Sequence, residues 1–493
     1  MSTSDQTVPL DPVEDESNPS NHRIRSDDKV PTSQKAAFSV GVGFENFAIQ
    51  LPTNTLFMPF FNIGLGINPG LLGVILMVFR IWDAITDPIV GNLSDNARTR
   101  WGRRRPFIVV GSILAALVFP AIWFAPSPEA HGLTPTLVYL VIIGLTYFVC
   151  TSLWSMPYYG LQLEMTPNYD ERTRVAAWYT AVGKIASVGM GWVMAIVTGP
   201  WFVDAVTGKP DIVRGVQVFS FCLAPLILVF GIIPGLFVKE RYYAKETSRQ
   251  QKVPFLTSLK ESLTCKPLWW LILISFCHVF GIYSIGTVRQ YVNIYFINNG
   301  NLANASVIEG WNYTTMFVTG LLSIPFWAWV AEKTDKRVAL ALILVVAMVG
   351  HLLNLFCLRP DMPYLQLVPQ AFYSGASGAI WLILPSMKAD VADEDELKTG
   401  CRREGSLNAF YSWFIKFALT CSMGVGGLVL NLTGFDVHLD TQPETVLLRM
   451  KACYIAIPII MWTIGLAMIW FYPLDRKRMN EVRAELERRR GEI

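Results

Sequence analysis

The sequence predicts an all-α membrane protein with twelve transmembrane helices arranged in two six-helix halves. Three observations carry this. Apolar residues make up 52% of the chain and charged ones 16%, against roughly 25% charged in an ordinary soluble domain. The apolar runs reach or exceed the ~20 residues needed to cross a bilayer. Finally, Lys and Arg rise and fall in density from one connection to the next, as a fixed orientation in a membrane requires.

The spans fall near 37–62, 69–94, 106–125, 136–162, 174–199, 216–238, 267–298, 307–331, 337–358, 364–388, 404–432 and 447–472. After the second span comes a basic turn holding Arg98, Arg100, Arg103, Arg104 and Arg105, and after the sixth a basic stretch running from Lys239 to Lys266. The connections after spans one, three and seven hold no Lys or Arg. Positive residues favour the cytoplasmic side, so the even-numbered connections and both termini are expected inside. Residues 1–33 are polar, rich in Asp, Ser, Asn and Pro, and lack a cleavable signal pattern; they read as a disordered cytoplasmic tail. Residues 473–493 read as a charged cytoplasmic helix. The longest basic connection, 239–266, divides the chain into an N-terminal bundle (34–238) and a C-terminal bundle (267–472). The turn GNLSDNARTRWGRRRP (Gly91–Pro106) is faintly echoed by AEKTDKR (Ala331–Arg337) at the matching point of the second half. Paired six-helix halves are the organisation of the major facilitator fold, whose substrate site lies midway between them.

The eight cysteines show no CxxC or metal-ligand spacing, and those within spans read as small apolar residues. No HExxH, GxSxG or paired histidines supply a catalytic constellation, which excludes the ordinary intramembrane enzyme classes. Neither tail is long enough for a sensory or nucleic-acid-binding domain.

An ionisable side chain at bilayer depth is costly and faces a cavity or a partner, so the polar residues of the spans mark the working parts. In FRIWDAITDPIVG, spacing of three and four places Asp83, Thr86 and Asp87 on one helical face. Two carboxylates and a hydroxyl offer hard oxygen ligands for a small cation or a proton; the same acids also suit a structural ion pair with Arg80. In the first span Glu45 precedes Asn46, Gln50, Thr53 and Asn54, a polar stripe that either lines a cavity or bonds between helices. The fourth span holds Thr151, Ser152 and Ser155 before Pro157, Tyr158 and Tyr159, hydroxyls that also fit repair of a proline-broken backbone. Arg289, with Gln290 and Asn293, sits near the outer end of the seventh span, where an Arg snorkels to the headgroups. Trp381 of the tenth span offers a stacking face for a sugar ring, and the eleventh adds Asn408, Tyr411, Ser412 and Lys416. Lys416 has no acid nearby in sequence, so Asp83 or Asp87 is its expected partner across the bundle.

Two stretches carry a resemblance. RIWDAITDPIVGNLSDNARTRWGRRRP (Arg80–Pro106) and ADVADEDELKTGCRREG (Ala389–Gly405) resemble the signatures of the glycoside–pentoside–hexuronide:cation symporters, the family of the melibiose permease. The resemblance implies alternating access driven by a Na⁺ or H⁺ gradient, with no other cofactor. It implies a cation site at Asp83, Thr86, Asp87 and Ser152 beside Lys416, with Asp83 and Asp87 as the metal ligands if the ion is Na⁺. Trp381 matches a tryptophan of the family's sugar pocket. The chain departs from the family at the sugar clamp: Asn46 and Ser155 stand where the melibiose permease has acids, and the stretch Glu171–Tyr179 lacks its arginine. A non-galactoside sugar is therefore expected, in a pocket drawn from Glu45, Asn46, Gln50, Ser155, Tyr159, Trp381 and Tyr411. Animal lysolipid transporters also resemble this family and share the threonine, so an amphipathic lipid is the alternative cargo. Asp95 with Arg98, Arg103 and Arg104, and the acids from Asp390 to Glu404, are expected to gate the cytoplasmic side. The expected partners are a small solute and the lipid bilayer, with no nucleic acid. The chain is expected to work as a monomer in an inner membrane.

Overall fold

The computed structural model describes residues 29–166, 169–240, 263–400, 404–439 and 441–490. Among them the regular elements are all helices, with one isolated antiparallel bridge between Val203 and Pro210. Helix α1 (Thr32–Phe44) continues without a break into π-helical turns over Glu45–Leu56 and Pro59–Gly64. Pro52 and Pro59 lie within these turns, where a proline removes a backbone N–H and its ring presses on the preceding turn; the wider π pitch relieves that crowding. Then follow α2 (Pro69–Asn96), α3 (Arg105–Ile122), α4 (Leu133–Glu164), α5 (Tyr169–Val197) and α6 (Ile212–Phe237). The second half opens with α7 (Lys266–Tyr283), which resumes at Gly286–Tyr291 and ends in a π turn, Val292–Ile297. The first helix of each half thus carries π turns. Next come α8 (Leu302–Lys333), α9 (Lys336–Leu352), α10 (Leu367–Thr399), α11 (Glu404–Thr433), α12 (Glu444–Phe471) and a short amphipathic helix, α13 (Arg476–Arg490).

Eleven of these stretches are by themselves long and apolar enough to cross a membrane. The twelfth is the stretch from Thr32 to Gly64, helical throughout but divided into α and π pieces. Helix α10 runs well past the expected end at residue 388, because its last turns leave the apolar zone and their acids are paired there. It stops at Gly400, whose φ of 71° lies in the left-handed region that a C-terminal cap favours. Most of the connection 239–266 lies outside the described residues, as do 1–28.

Both ends of the described chain lie on one face, called here the terminal face; the other is the distal face. One apolar core fills the first half and, toward the distal face, continues into the second, where Phe61 and Phe57 share it with Tyr291, Phe435 and Met450. A separate core fills the terminal-face part of the second half and takes in Met479, Val482 and Leu486 of α13. Cross-half hydrogen bonds cluster at the distal end. Asn68 Nδ2 donates to Asn431 Oδ1 at 3.0 Å, Gln290 Nε2 to the Thr55 carbonyl at 3.2 Å, and Trp192 Nε1 to Thr314 Oγ1 at 3.2 Å. Helices α2 and α11 touch there through glycines. A Cβ on Gly427 would stand 2.2 Å from the Pro69 carbonyl oxygen, and one on Gly73 2.9 Å from that of Gly424.

At the terminal face the following ion pairs each lie within one half. Arg104 pairs with Asp95 at 2.8 Å and Arg103 with Glu164, while Glu240 accepts the backbone N–H of Arg103, Arg104 and Arg105. In the second half Lys336 and Arg483 both reach Asp390, and Arg478 reaches Glu394. The molecule is therefore zipped at the distal face.

Backbone is the obstacle at Gly427, so no neighbouring side chain can give way to a larger residue there. Gly427→Leu is expected to force the distal seam open. A cysteine placed at Asn68 should then react with an impermeant maleimide much faster than in the parent, and transport should fall. Equal labelling rates would show that the glycine contact does not hold the seam.

Candidate functional site

Helix α2 begins at an Asn68 cap, whose side chain accepts the N–H of Gly70 and Leu71. It carries Pro88 in its interior, one residue after Asp87. A proline there frees the backbone carbonyl one turn earlier, in the same stretch as the two acids. Around this turn the structure gathers residues from both halves. Ser152 Oγ of α4 donates to Asp83 Oδ1 at 3.3 Å and lies 3.0 Å from Thr86 Oγ1. Thr86 Oγ1 donates back to the Asp83 carbonyl at 3.3 Å. Lys416 of α11 donates from Nζ to Asp87 Oδ2 at 2.7 Å. The expectation left Lys416 between two partners, and the geometry chooses Asp87.

Asp83 has its own counter-charge, since Arg80 Nη1 stands 3.7 Å from Asp83 Oδ2. That guanidinium also touches the Met423 sulfur at 3.4 Å and lies 5.9 Å from the Phe148 ring centre. The site is thus a quartet of two acids and two bases. One oxygen remains open: Asp87 is 4% exposed, and its Oδ1 is buried without a hydrogen-bond partner. Hard oxygens from two carboxylates and two hydroxyls, one of them unsatisfied, fit a small cation or a proton.

Beside this quartet a central cavity of about 510 Å³ lies between the halves. Leu76 and Met423 line it, so Arg80, touching Met423, links the acids to its wall. The π-helical turns that continue α1 contribute Glu45, Asn46, Gln50, Thr53 and Asn54. The widened turns keep this stripe on one face. Glu45 Oε2 accepts from the Tyr179 hydroxyl at 2.6 Å, and Tyr159 hydrogen-bonds the same carboxyl. Asn54 Nδ2 donates to Gln50 Oε1 at 2.7 Å. Lys184 of α5 also lines the cavity.

The other expected solute residues lie outside the cavity lining. Ser155 is buried, and Trp381 is half-exposed on α10. Tyr411 is buried with its hydroxyl donating to Ser275 Oγ at 2.7 Å, and the Lys388 ammonium sits 4.9 Å from its ring centre. Of the gating set, Asp95, Arg103 and Arg104 pair as described above, while Arg98 is exposed. The side chain of Glu404 lies outside the described residues.

Sequence reasoning missed the second half's wall. Arg289 does not snorkel: it lines the cavity and is held through both terminal nitrogens by Glu309, which is 4% exposed. Asn312, His351, Asn354, Gln370 and Tyr454 line the same wall. The signal lay in Glu309 and Asn312, polar residues three apart near the start of an apolar span.

A twelve-span bundle with ionisable residues at its centre and a polar cavity between halves is the anatomy of a membrane transporter. Residues 40–476 match the family of MFS/sugar transport proteins, and the chain belongs to that family; it is a multi-pass transporter of small solutes and not an enzyme. It is similar to the isoprimeverose transporter of Lactiplantibacillus pentosus, 25% identical with 94% of this chain and 93% of the relative covered. It is also similar to the sodium-dependent lysophosphatidylcholine symporter 1 of Gallus gallus, 24% identical over 86% and 84%. Among solved structures, a D-xylose-proton symporter superposes with a TM-score of 0.63 at 12% identity, covering 90% of this chain and 98% of that one; the likeness shows the fold.

Removing Lys416 leaves the buried Asp87 carboxylate without its counter-charge, at a cost smaller than that of breaking a fully buried pair because the Lys416 side chain is half-exposed. Lys416→Met is therefore expected to lower thermal stability in detergent, and Lys416→Met with Asp87→Asn should recover most of the loss. A double variant as unstable as the sum of its parents would show that the two side chains do not interact.

Proposed function

We propose that the chain is a cation-coupled symporter that carries a glycoside or related sugar by alternating access. The observation that carries this is the quartet of Arg80, Asp83, Asp87 and Lys416, joined through Met423 to a polar cavity large enough for a small glycoside. The relatives named above are symporters or sugar transporters, which supports a coupling ion, Na⁺ or H⁺. The open Asp87 Oδ1 is where such an ion gains most, since a buried unpaired oxygen is costly to leave unmet.

Binding requires a rearrangement of charge. Asp83, Asp87, Arg80 and Lys416 are already balanced, so an added cation leaves one excess positive charge in a low-dielectric core. Lys416, whose side chain is 45% exposed, is the base free to swing away, and the ion takes its place on Asp87. Because Lys416 belongs to the second half and Asp87 to the first, exchanging an ammonium for an ion loosens a bond between halves. Thr86 and Ser152 supply neutral oxygens, and Asp83 supplies the second carboxylate. The polar stripe on α1 receives the solute, with Glu45 fixed by its tyrosines.

The terminal face is read as cytoplasmic, from its basic connections, in an inner membrane. Asp95, Arg98, Arg103, Arg104 and Glu404 belong to the gate there, which closes when the distal seam opens. The two bundles, 34–238 and 267–472, move against each other, joined by the cytoplasmic linker 239–266, and one chain suffices.

The test is solute-induced ion movement in proteoliposomes, with a panel of glucosides, xylosides, galactosides, hexuronates and lysolipids added with and without Na⁺. A sugar should evoke Na⁺-dependent current or alkalinise the outside medium. Asp83→Asn should abolish accumulation against a gradient. Ion coupling that survives in Asp83→Asn would overturn the cation site, and a response to lysolipids alone would overturn the sugar cargo.

A further inference from the structure

The acids of the proposed cation site lie in the first half, and the second half lines the cavity with polar side chains of its own. Off the main cavity opens a recess with room for about one water-sized group, 10 Å³, lined by Arg289, Asn312, Asn354, Gln370 and Tyr454. These five residues line both spaces, so whatever occupies the cavity can extend a single small group into the recess. Its position is toward the distal face, beneath the sealed seam at Gln290 and Thr55.

The hydrogen-bond account of this recess is incomplete in an informative way. Arg289 is held by Glu309 through two nitrogens, which makes the pair neutral overall. Asn354 Nδ2 donates to the His351 carbonyl at 2.8 Å and Asn354 also bonds Tyr454. Gln366, also at the recess, donates to Asn293 Oδ1 at 3.0 Å and to the Pro363 carbonyl at 2.9 Å. Asn312 is the exception. It is 3% exposed, and its side-chain nitrogen is buried with no partner. A buried amide left unbonded destabilises the fold, so an asparagine that faces a recess in this condition is arranged for a group that arrives from outside the chain.

We propose that this recess is a solute subsite that binds one hydroxyl of an uncharged sugar ring, with the Asn312 amide as the donor to it. The proposal rests on the glycoside reading above and adds which half recognises the sugar and through what. Neutrality of the Arg289–Glu309 pair argues against a carboxylate there, since Glu309 already occupies the fork that would bind one. The size of the recess limits the group to a hydroxyl, while the ring itself stays in the larger cavity. Asn312 is thereby a specificity-determining residue: it rewards a sugar with a hydroxyl at the matching ring position and penalises one without. Glu309 is a positioning residue that keeps Arg289 folded back along the wall.

The experiment uses the full-length protein in detergent and compares the parent with Asn312→Leu, which has nearly the same volume and no amide. Binding of methyl glucoside, methyl xyloside and their monodeoxy analogues is measured by calorimetry. In the parent, one deoxy position should weaken binding by roughly tenfold, the scale of one hydrogen bond to a buried donor. In Asn312→Leu that penalty should vanish for that position alone. The melting temperature of the sugar-free variant should stay level or rise, because an unmet buried donor has been removed. Should the deoxy penalty persist unchanged in the variant, or the variant melt well below the parent, Asn312 is structural and the subsite is refuted. Should the parent bind none of these sugars, the glycoside reading fails and the subsite falls with it.

Discussion

An ammonium and a carboxylate 2.7 Å apart join the two halves of this protein in the interior of the membrane bundle. Asp87 is on α2 and Lys416 on α11, the two helices whose glycines meet at the distal seam. A charge at such depth persists only with a partner, so the pair ties the positions of the halves to the state of one carboxylate. What changes that carboxylate's partner also changes how firmly the halves hold together. The cavity, the seam and the terminal-face ion pairs are arranged around this link between the halves.

The packing is consistent with that constraint. Toward the distal face the apolar core is continuous across the halves, while the terminal-face part of the second half keeps a core of its own. A continuous core resists separation because apolar surface would be exposed. Two separate cores with polar pairs inside each half can approach or part at little cost. Arg104 and Asp95, or Lys336 and Asp390, are satisfied without reaching across. The structure therefore shows the halves joined at the distal face, with the terminal-face ion pairs named here satisfied inside each half.

The lining of the cavity is divided between the halves in the same way. The first half places Glu45 and the amides of α1 along one wall, and the second half answers with Arg289, its partner Glu309, and Asn312 on the other. A group bridging both walls would couple the halves directly, and a change of partner at Asp87 would act on the same pair of halves through Lys416.

By itself the sequence determined the class of fold, the twelve spans and the two halves, and it singled out the acid cluster of α2. Those follow from local quantities: apolar length against bilayer thickness, basic residues counted by connection, and carboxylates three or four apart on one helix. Helical spacing alone put Asp83, Thr86 and Asp87 on one face, and the cost of a lone buried charge alone demanded a partner for Lys416. Which acid it would choose was decided by the crossing of α2 and α11, a relation between residues more than three hundred positions apart. The same holds for Trp381 and Tyr411, plausible by type yet outside the cavity lining once α10 and α11 are packed. Arg289 shows the converse. Its place near a span's end looked solvated until α8 brought Glu309 against it. Local pattern tells which residues cannot stand alone in a membrane; only tertiary structure decides what they stand against, because that depends on how helices distant in sequence cross.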